Sequence, residues 1–330
     1  MADRIRWGIA GTGGIASAFA EDLKLLPDAE IVAVGSRGQA SADAFGDRFG
    51  IPNRHVGYEA LAADPEVDAV YVAVPHTGHC EIALAAIAEH KAVLVEKPFA
   101  VNAAEAERMI DAARAAGTFL MEAMWVRLLP HFMHVRALLA EGRIGEVRQV
   151  ISDRGETLST DPLHRVNNPE LAGGALLDLG IYPVSFASMV TGGRAPEHVV
   201  AVGRMTETGV DAQSSMILAY PGGAHAVIST SLDARSVNTA TIAGTEGRIV
   251  LSQPWGRTCP VELILNDGTA HTTLLPHQGN GLRHQAAEVG RCLRAGELES
   301  PVITLDETLS IMRTLDLVRE RIGLRYPGEA

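Results

Sequence analysis

Between Gly173 and Pro183 the chain reads GGALLDLGIYP, and this segment sets two proton-handling groups four residues apart. Two glycines open an apolar run that carries Asp178 and Tyr182. Four residues make about one helical turn, so both polar tips share one face. A carboxylate beside a phenol in such company is costly to bury unless the pair is solvated, hydrogen-bonded or used to move a proton. A satisfied core pair is one outcome. The other is a catalytic pair, which requires a reactant and a cation from elsewhere in the chain.

The stretch GIAGTGGIA places Gly11, Gly13 and Ala16 in the spacing G-x-G-x-x-G/A, with Thr12, Gly14 and Ile15 between them. The first glycine permits a tight turn, the second lets backbone approach a pyrophosphate, and a small third residue keeps a helix close to its strand. The motif sits between an apolar run and an amphipathic one, which is the strand-to-helix context it needs to bind a dinucleotide. After the second apolar run, IVAVGSR puts Ser36 and Arg37 where an NAD site carries an acid. A hydroxyl and a guanidinium suit a 2′-phosphate, so NADP is expected over NAD.

The fourth run ends in VLVEKPFA, which brings Glu96, Lys97 and Pro98 to a strand end where open parallel sheets bind ligands. Oxidising an alcohol requires a base for the hydroxyl proton while hydride leaves carbon for the nicotinamide. A tyrosine serves at neutral pH only beside a cation that favours its phenolate. Lys97 is the expected cation, Tyr182 the proton carrier and Asp178 their neighbour.

The elements that must position these groups follow from periodicity. Up to about Ala123, short apolar runs alternate with amphipathic alanine-rich stretches, the βαβ pattern of a parallel sheet covered on both faces. Strands are expected at Ile5 to Ile9, Glu30 to Ser36, Ala69 to Val74, Ala92 to Val95 and Phe119 to Met121, with helices at Gly78 to Glu89 and Ala103 to Ala116. Beyond Trp125 come a helix near His131 to Glu141, a strand at Val147 to Asp153 and the glycine-opened helix. Six runs follow, Val199 to Met205, Ser214 to Tyr220, Ala226 to Leu232, Ala240 to Ala243, Arg248 to Leu251 and Val261 to Leu265. Their tight turns imply a mainly antiparallel open sheet. Helices near Leu282 to Ala295 and Leu305 to Ile322 close the chain. The expected fold is α/β, with a Rossmann domain over 1–123 and a substrate-binding and oligomerisation domain over 124–330.

At 330 residues two domains are the default. A formal charge of −12, from 28 basic and 40 acidic residues, argues against nucleic acid as a partner. Cys80, Cys259 and Cys292 are an odd, scattered set, which points away from disulfides and towards a reducing cytoplasm. The apolar windows read as too short to span a bilayer, and the N-terminus lacks the core of a secretory signal. The pairs His76/His79 with Cys80, and His131/His134, lack a second set of ligands, so no metal is expected.

Together, GTGGIA, the EKP at Glu96, MEAMWVRLLP from Met121 to Pro130 and GGALLDLGIYP resemble the glucose-fructose oxidoreductase, inositol dehydrogenase and MocA family across the whole chain. The branch most resembled holds dimeric dihydrodiol dehydrogenase and NADP-dependent xylose dehydrogenase. The resemblance implies that Lys97 and Tyr182 act together near the nicotinamide, and that Asp178 steadies the substrate or the lysine. It also implies a homodimer formed through the open sheet. Tyr182 stands where many inositol-branch relatives have histidine. Pro75, His76 and His79 fall in the loop that passes the nicotinamide ribose in relatives, while Trp125 and Arg127 border the active site. Trp255 is placed to line the same cleft, and Arg154 and Arg165 are candidates for sugar hydroxyls.

The strand ISDRGETL carries no aromatic residue, which favours a small polyhydroxylated substrate over an arene diol. The expected function is therefore an NADP-dependent oxidoreductase, with NAD possible, that exchanges hydride with a sugar or related polyol or carbonyl. Two rivals are a trans-dihydrodiol dehydrogenase or dicarbonyl reductase, and a nucleotide-sensing regulatory protein without turnover. The second rival would need only the glycine loop, which leaves Lys97, Asp178 and Tyr182 unexplained.

Overall fold

Runs rich in valine, isoleucine and alanine, with one short polar strand at the edge, build six parallel strands in the first part of the chain. The computed structural model describes residues 4–329. In chain order the elements are β1 (Ile5–Ala10), α1 (Gly14–Leu23), β2 (Ala29–Ser36), α2 (Gln39–Phe49), β3 (Asn53–Val56), α3 (Tyr58–Ala62), β4 (Ala69–Val72), α4 (His79–Ala88), β5 (Ala92–Glu96), α5 (Ala103–Ala116) and β6 (Leu120–Ala123). β4, β5 and β6 are buried at every residue, as expected where helices cover both faces. The strand order is β3-β2-β1-β4-β5-β6, which reverses direction at β1 and β4. Ligands bind at such a switch point, outside the carboxyl ends of the strands.

The second sheet is built from β7 (Val147–Gly155), β8 (His198–Met205), β9 (Asp211–Ala219), β10 (His225–Ser231), β11 (Ala240–Gly244), β12 (Gly247–Leu251), β13 (Pro260–Leu265) and β14 (Ala270–Leu274). Its order is β14-β13-β12-β11-β7-β10-β9-β8. Every pairing is antiparallel except β7 with β10. Alternate residues of β9 and β10 are buried, so one face of the sheet is core. The other face exposes Ile151, Val200, Val202, Ile217 and Val227. α6 (Pro130–Ala140) precedes this sheet. A π-helical turn, Leu176–Gly180, runs directly into α7 (Ile181–Val190), which packs on the buried face against β7 and β10.

The chain closes with α8 (Arg283–Ala295) and α9 (Leu305–Ile322). The compact units are the residues through Trp125 with Gln278–Thr308, and Val126–His277 with Leu309 onward. The stretch Gln278–Thr308, with α8, thus packs as part of the first unit. The cause is a set of polar contacts within the first unit. Asp22 of α1, wholly buried, accepts hydrogen bonds from the Asn280 and Arg283 amides at 2.7 and 3.1 Å and so caps the start of α8. Arg294 pairs with Asp28 at 2.9 Å, and the Leu120 amide donates to the Leu298 carbonyl at 3.1 Å.

Pro169–Val190 is long and apolar enough to cross a membrane, contrary to the sequence expectation that no window is. It is almost entirely buried inside the fold, as a core helix is.

Candidate active site

In the first unit, the glycine turn is built as a phosphate-binding loop requires. Gly11 has φ +116°, and a Cβ there would lie 2.5 Å from the Ala73 carbonyl oxygen, so only glycine fits. Its amide donates to the Gly35 carbonyl, which ties the turn to β2. Gly13 and Gly14 are exposed, and a Cβ on either would meet no atom within 4 Å. That space is what a pyrophosphate at the start of α1 occupies in such folds. Ala16 is completely buried, which keeps α1 close to the sheet. Ser36 closes β2 and is buried, whereas Arg37 is exposed. Tyr58, which the sequence reading overlooked, lies near enough for the Arg37 charge to act on it. Burial pushes its phenol up against that pull.

Lys97 occupies a turn held by buried polar groups. The Lys97–Pro98 peptide is cis. Glu96, buried at the end of β5, accepts a hydrogen bond from the Tyr71 hydroxyl and another from the Lys97 amide at 3.2 Å. Glu122 of β6 accepts from the Phe99 amide at 3.1 Å. His79 is completely buried, with Nδ1 2.9 Å from the Pro98 carbonyl and Nε2 3.0 Å from that of Val74. Both nitrogens face backbone carbonyls, one through the N–H of the neutral ring, so neither is offered to a cofactor and the expected cofactor contact becomes a brace. Tyr71 and Glu122 share this bracing role, and both carry their signal only in three dimensions. Pro75 is exposed at the mouth of its loop, His76 is buried, and Trp125 is half-buried at the end of β6.

The second unit carries Asp178 and Tyr182. Asp178 lies in the π-helical turn and Tyr182 in the first turn of α7. Arg165 holds the Asp178 carboxylate through two guanidinium nitrogens, at 3.0 and 3.4 Å. Asp178 is almost buried while Arg165 is half-exposed. From β7, Arg154 places its guanidinium carbon 5.6 Å from the centroid of the half-buried Tyr182 ring. Glu156 lies 3.7 Å from Arg154 and 3.5 Å from Arg235. Arg154 over Tyr182 and Arg165 on Asp178 thus bring charge to both polar residues of this segment.

Two further expected site residues are internal. Trp255 is completely buried, packed against Phe132 and Phe186, with its indole N–H donating to the Asp153 carbonyl at 2.8 Å. It is a core residue, and an isolated tryptophan in a loop gives no local sign of burial. Arg127 is also buried and donates to the Ser185 carbonyl and hydroxyl at 3.0 and 3.2 Å, which ties its turn to α7. Among the described residues, no group of three or more histidines, cysteines or acids could hold a metal ion. Burial pushes the thiols of Cys80 and Cys259 up to about 11 and that of Cys292 to about 12, too high for ready thiolate chemistry.

Known proteins share this plan. The profile of the oxidoreductase family with an NAD-binding Rossmann fold matches residues 5–124, and that of the GFO/IDH/MocA C-terminal domain matches residues 132–250. The chain is 40% identical to trans-1,2-dihydrobenzene-1,2-diol dehydrogenase of Bos taurus, over 98% of this chain and 99% of that one. Among solved structures, aldose-aldose oxidoreductase from Caulobacter crescentus, complexed with glycerol, superposes with a TM-score of 0.88 at 26% identity, covering 96% of this chain and 97% of that one. KijD10, a 3-ketoreductase from Actinomadura kijaniata in complex with NADP and TDP-benzene, gives 0.85 at 28% identity, covering 97% and 98%. The chain therefore belongs to the GFO/IDH/MocA family and is an NAD(P)-dependent oxidoreductase acting on CH–OH groups.

Proposed function

We propose that this enzyme uses NADP to interconvert a hydroxyl and a carbonyl on a sugar or related polyol, with Tyr182 carrying the proton. When bound, the nicotinamide supplies or accepts the hydride. Gly11 to Ile15 seat the pyrophosphate, and Ser36 and Arg37, with Tyr58 beside them, receive the 2′-phosphate. Lys97 contributes positive charge to the reacting hydroxyl, and Tyr182 takes or returns its proton. Asp178, fixed by Arg165, accepts a hydrogen bond from a neighbouring substrate hydroxyl.

One observation carries the substrate class: Arg154 lies over the Tyr182 ring with Glu156 beside it, and Arg165 pairs with Asp178 one turn earlier, so charge gathers near the phenol. Hydroxyl-rich molecules offer such groups more hydrogen bonds than an arene diol does. The second reading, trans-dihydrodiol oxidation, is favoured by the 40% identity to proteins of that name. The deciding experiment is a panel of aldoses, polyols, trans-diols and dicarbonyls with NADP(H) and NAD(H), read at the nicotinamide absorbance. Turnover confined to diols would reject the sugar reading. Tyr182→Phe is expected to lower kcat at least ~100-fold with NADPH binding unchanged; near-wild-type turnover would remove Tyr182 from the proton step.

We also propose a cytoplasmic homodimer in which the bare face of the second sheet meets a second copy. Support comes from the exposed valines and isoleucines of β7, β8, β9 and β10, which form one contiguous apolar patch.

A further inference from the structure

The helix bearing Asp178 and Tyr182 begins against a buried polar cluster drawn from distant parts of the sequence. Asp211, at the start of β9, is wholly buried. Its Oδ2 accepts from the Leu176 amide at 2.8 Å and the Ser214 hydroxyl at 2.7 Å. Its Oδ1 has no hydrogen-bond partner among the described residues and lies against Gly174. That glycine has φ +115°, and a Cβ on it would sit 2.2 Å from the oxygen. From beyond α9, buried Tyr326 donates its hydroxyl to the Gly173 carbonyl at 2.6 Å.

Tyr326 is itself held in place. Its amide donates to Glu329 at 2.9 Å, Glu329 accepts from Arg319 at 2.7 Å, and the Arg319 guanidinium carbon lies 4.9 Å from the Tyr326 ring centroid. The same glycines register the segment that carries Arg165. The Gly174 amide donates to the Val166 carbonyl at 2.9 Å, and a Cβ on Gly173 would come within 2.6 Å of the Arg165 and Val166 carbonyls. Asp178 and its partner Arg165 are therefore referenced to one point, the Gly173–Gly174 backbone.

A buried carboxylate with one unsatisfied oxygen is an expensive way to stabilise a fold. It is an effective way to fix a backbone position, because the acceptor cannot move without losing both of its donors. We propose that Asp211 and Tyr326 are positioning residues for the reaction, which set the register of the helix bearing Asp178 and Tyr182 and of the Arg165 segment against it. The inference rests on the reading of Tyr182 as proton carrier, and it makes the last residues of the chain part of the catalytic apparatus.

The test uses the full chain with Tyr326→Phe, Asp211→Ala and Asp211→Asn. With the sugar turned over fastest in the panel, kcat is expected to fall at least tenfold in Tyr326→Phe and Asp211→Ala. The KM for NADPH, and NADPH binding followed by fluorescence, should stay within twofold. Asp211→Asn keeps an oxygen acceptor for the Leu176 amide and should restore kcat to within fivefold of wild type. Amide exchange over Gly173 to Tyr182 is expected to rise at least tenfold in Tyr326→Phe, a change readable without any substrate. The proposal is overturned if Tyr326→Phe keeps kcat within twofold, if Asp211→Asn is as slow as Asp211→Ala, or if exchange over that segment is unchanged. Should Asp211→Ala fail to fold, Tyr326→Phe decides alone, since it removes a single hydroxyl. Retained turnover in Tyr182→Phe would instead defeat the underlying reading.

Discussion

Arg154 lies over the ring of Tyr182, with its guanidinium carbon 5.6 Å from the ring centroid. A cation in that position is attracted by the ring quadrupole with about 0.5 to 2 kcal/mol, depending on solvent access. The Arg154 side chain is largely buried, and its Nε has no hydrogen-bond partner among the described residues. Its charge is thus held against the Tyr182 ring with little solvent to screen it. Arg154→Met, which keeps bulk and loses charge, is expected to lower kcat/KM for a sugar about tenfold, close to 1.4 kcal/mol. NADPH affinity should not move. Steady-state kinetics beside a binding titration checks this, and equal losses in both would place Arg154 outside the substrate's reach.

Arg37 stands exposed where the second strand ends, and no acid stands beside it at Ser36. Arg37→Ala is expected to weaken NADP binding about tenfold or more, in line with one lost charge-assisted contact. NAD binding should change less than twofold. Calorimetric titration of both cofactors separates the cases; parallel weakening would mean that Arg37 serves the fold or the adenine instead.

Burial lowers the His79 imidazole to about 4, against the pull of the Val74 and Pro98 carbonyls and with the help of the nearby Lys97 charge. In the unfolded chain an imidazole titrates near 6.5. Between those values the unfolded chain binds a proton that the folded chain refuses, so stability falls as pH drops. The loss reaches about 3 kcal/mol for this group by pH 4. Urea unfolding at pH 7, 6 and 5 measures the slope, and His79→Gln should flatten it by up to one proton.

The exposed apolar patch of the second sheet includes Val202 and Ile217, both well exposed on neighbouring strands. Ile217→Asp sets a charge in its middle and is expected to turn a dimer into a monomer by light scattering at micromolar concentration. An unchanged mass would move the contact surface elsewhere.

Much of this was legible in advance because it is local. The glycine turn, the strand end at Glu96 and Lys97, and the helix of Asp178 and Tyr182 each announce themselves within a dozen residues. β3 and β14 escaped notice because Asn53–Val56 and Ala270–Leu274 are polar, short and half-exposed, which erases the alternation that marks a strand. The turn between Asp178 and Tyr182 reads as α-helical in sequence, and no local pattern distinguishes the π-helical form. Trp255, Asp211 and Tyr326 take their meaning from partners tens to hundreds of residues away, a separation that periodicity does not encode.

The return of α8 to the first unit has a consequence for biosynthesis. A ribosome releases this chain from its amino end, and Asp22 reaches its partners Asn280 and Arg283 only after the entire second sheet has been made. Until then a carboxylate destined for a dry interior faces water, and the first helix lacks α8 as a neighbour. A fragment ending at Trp125 should stay protease-sensitive around Asp22, and a peptide of residues 278–308 should protect it. The unit whose translation begins first therefore waits for residues made after the whole second sheet.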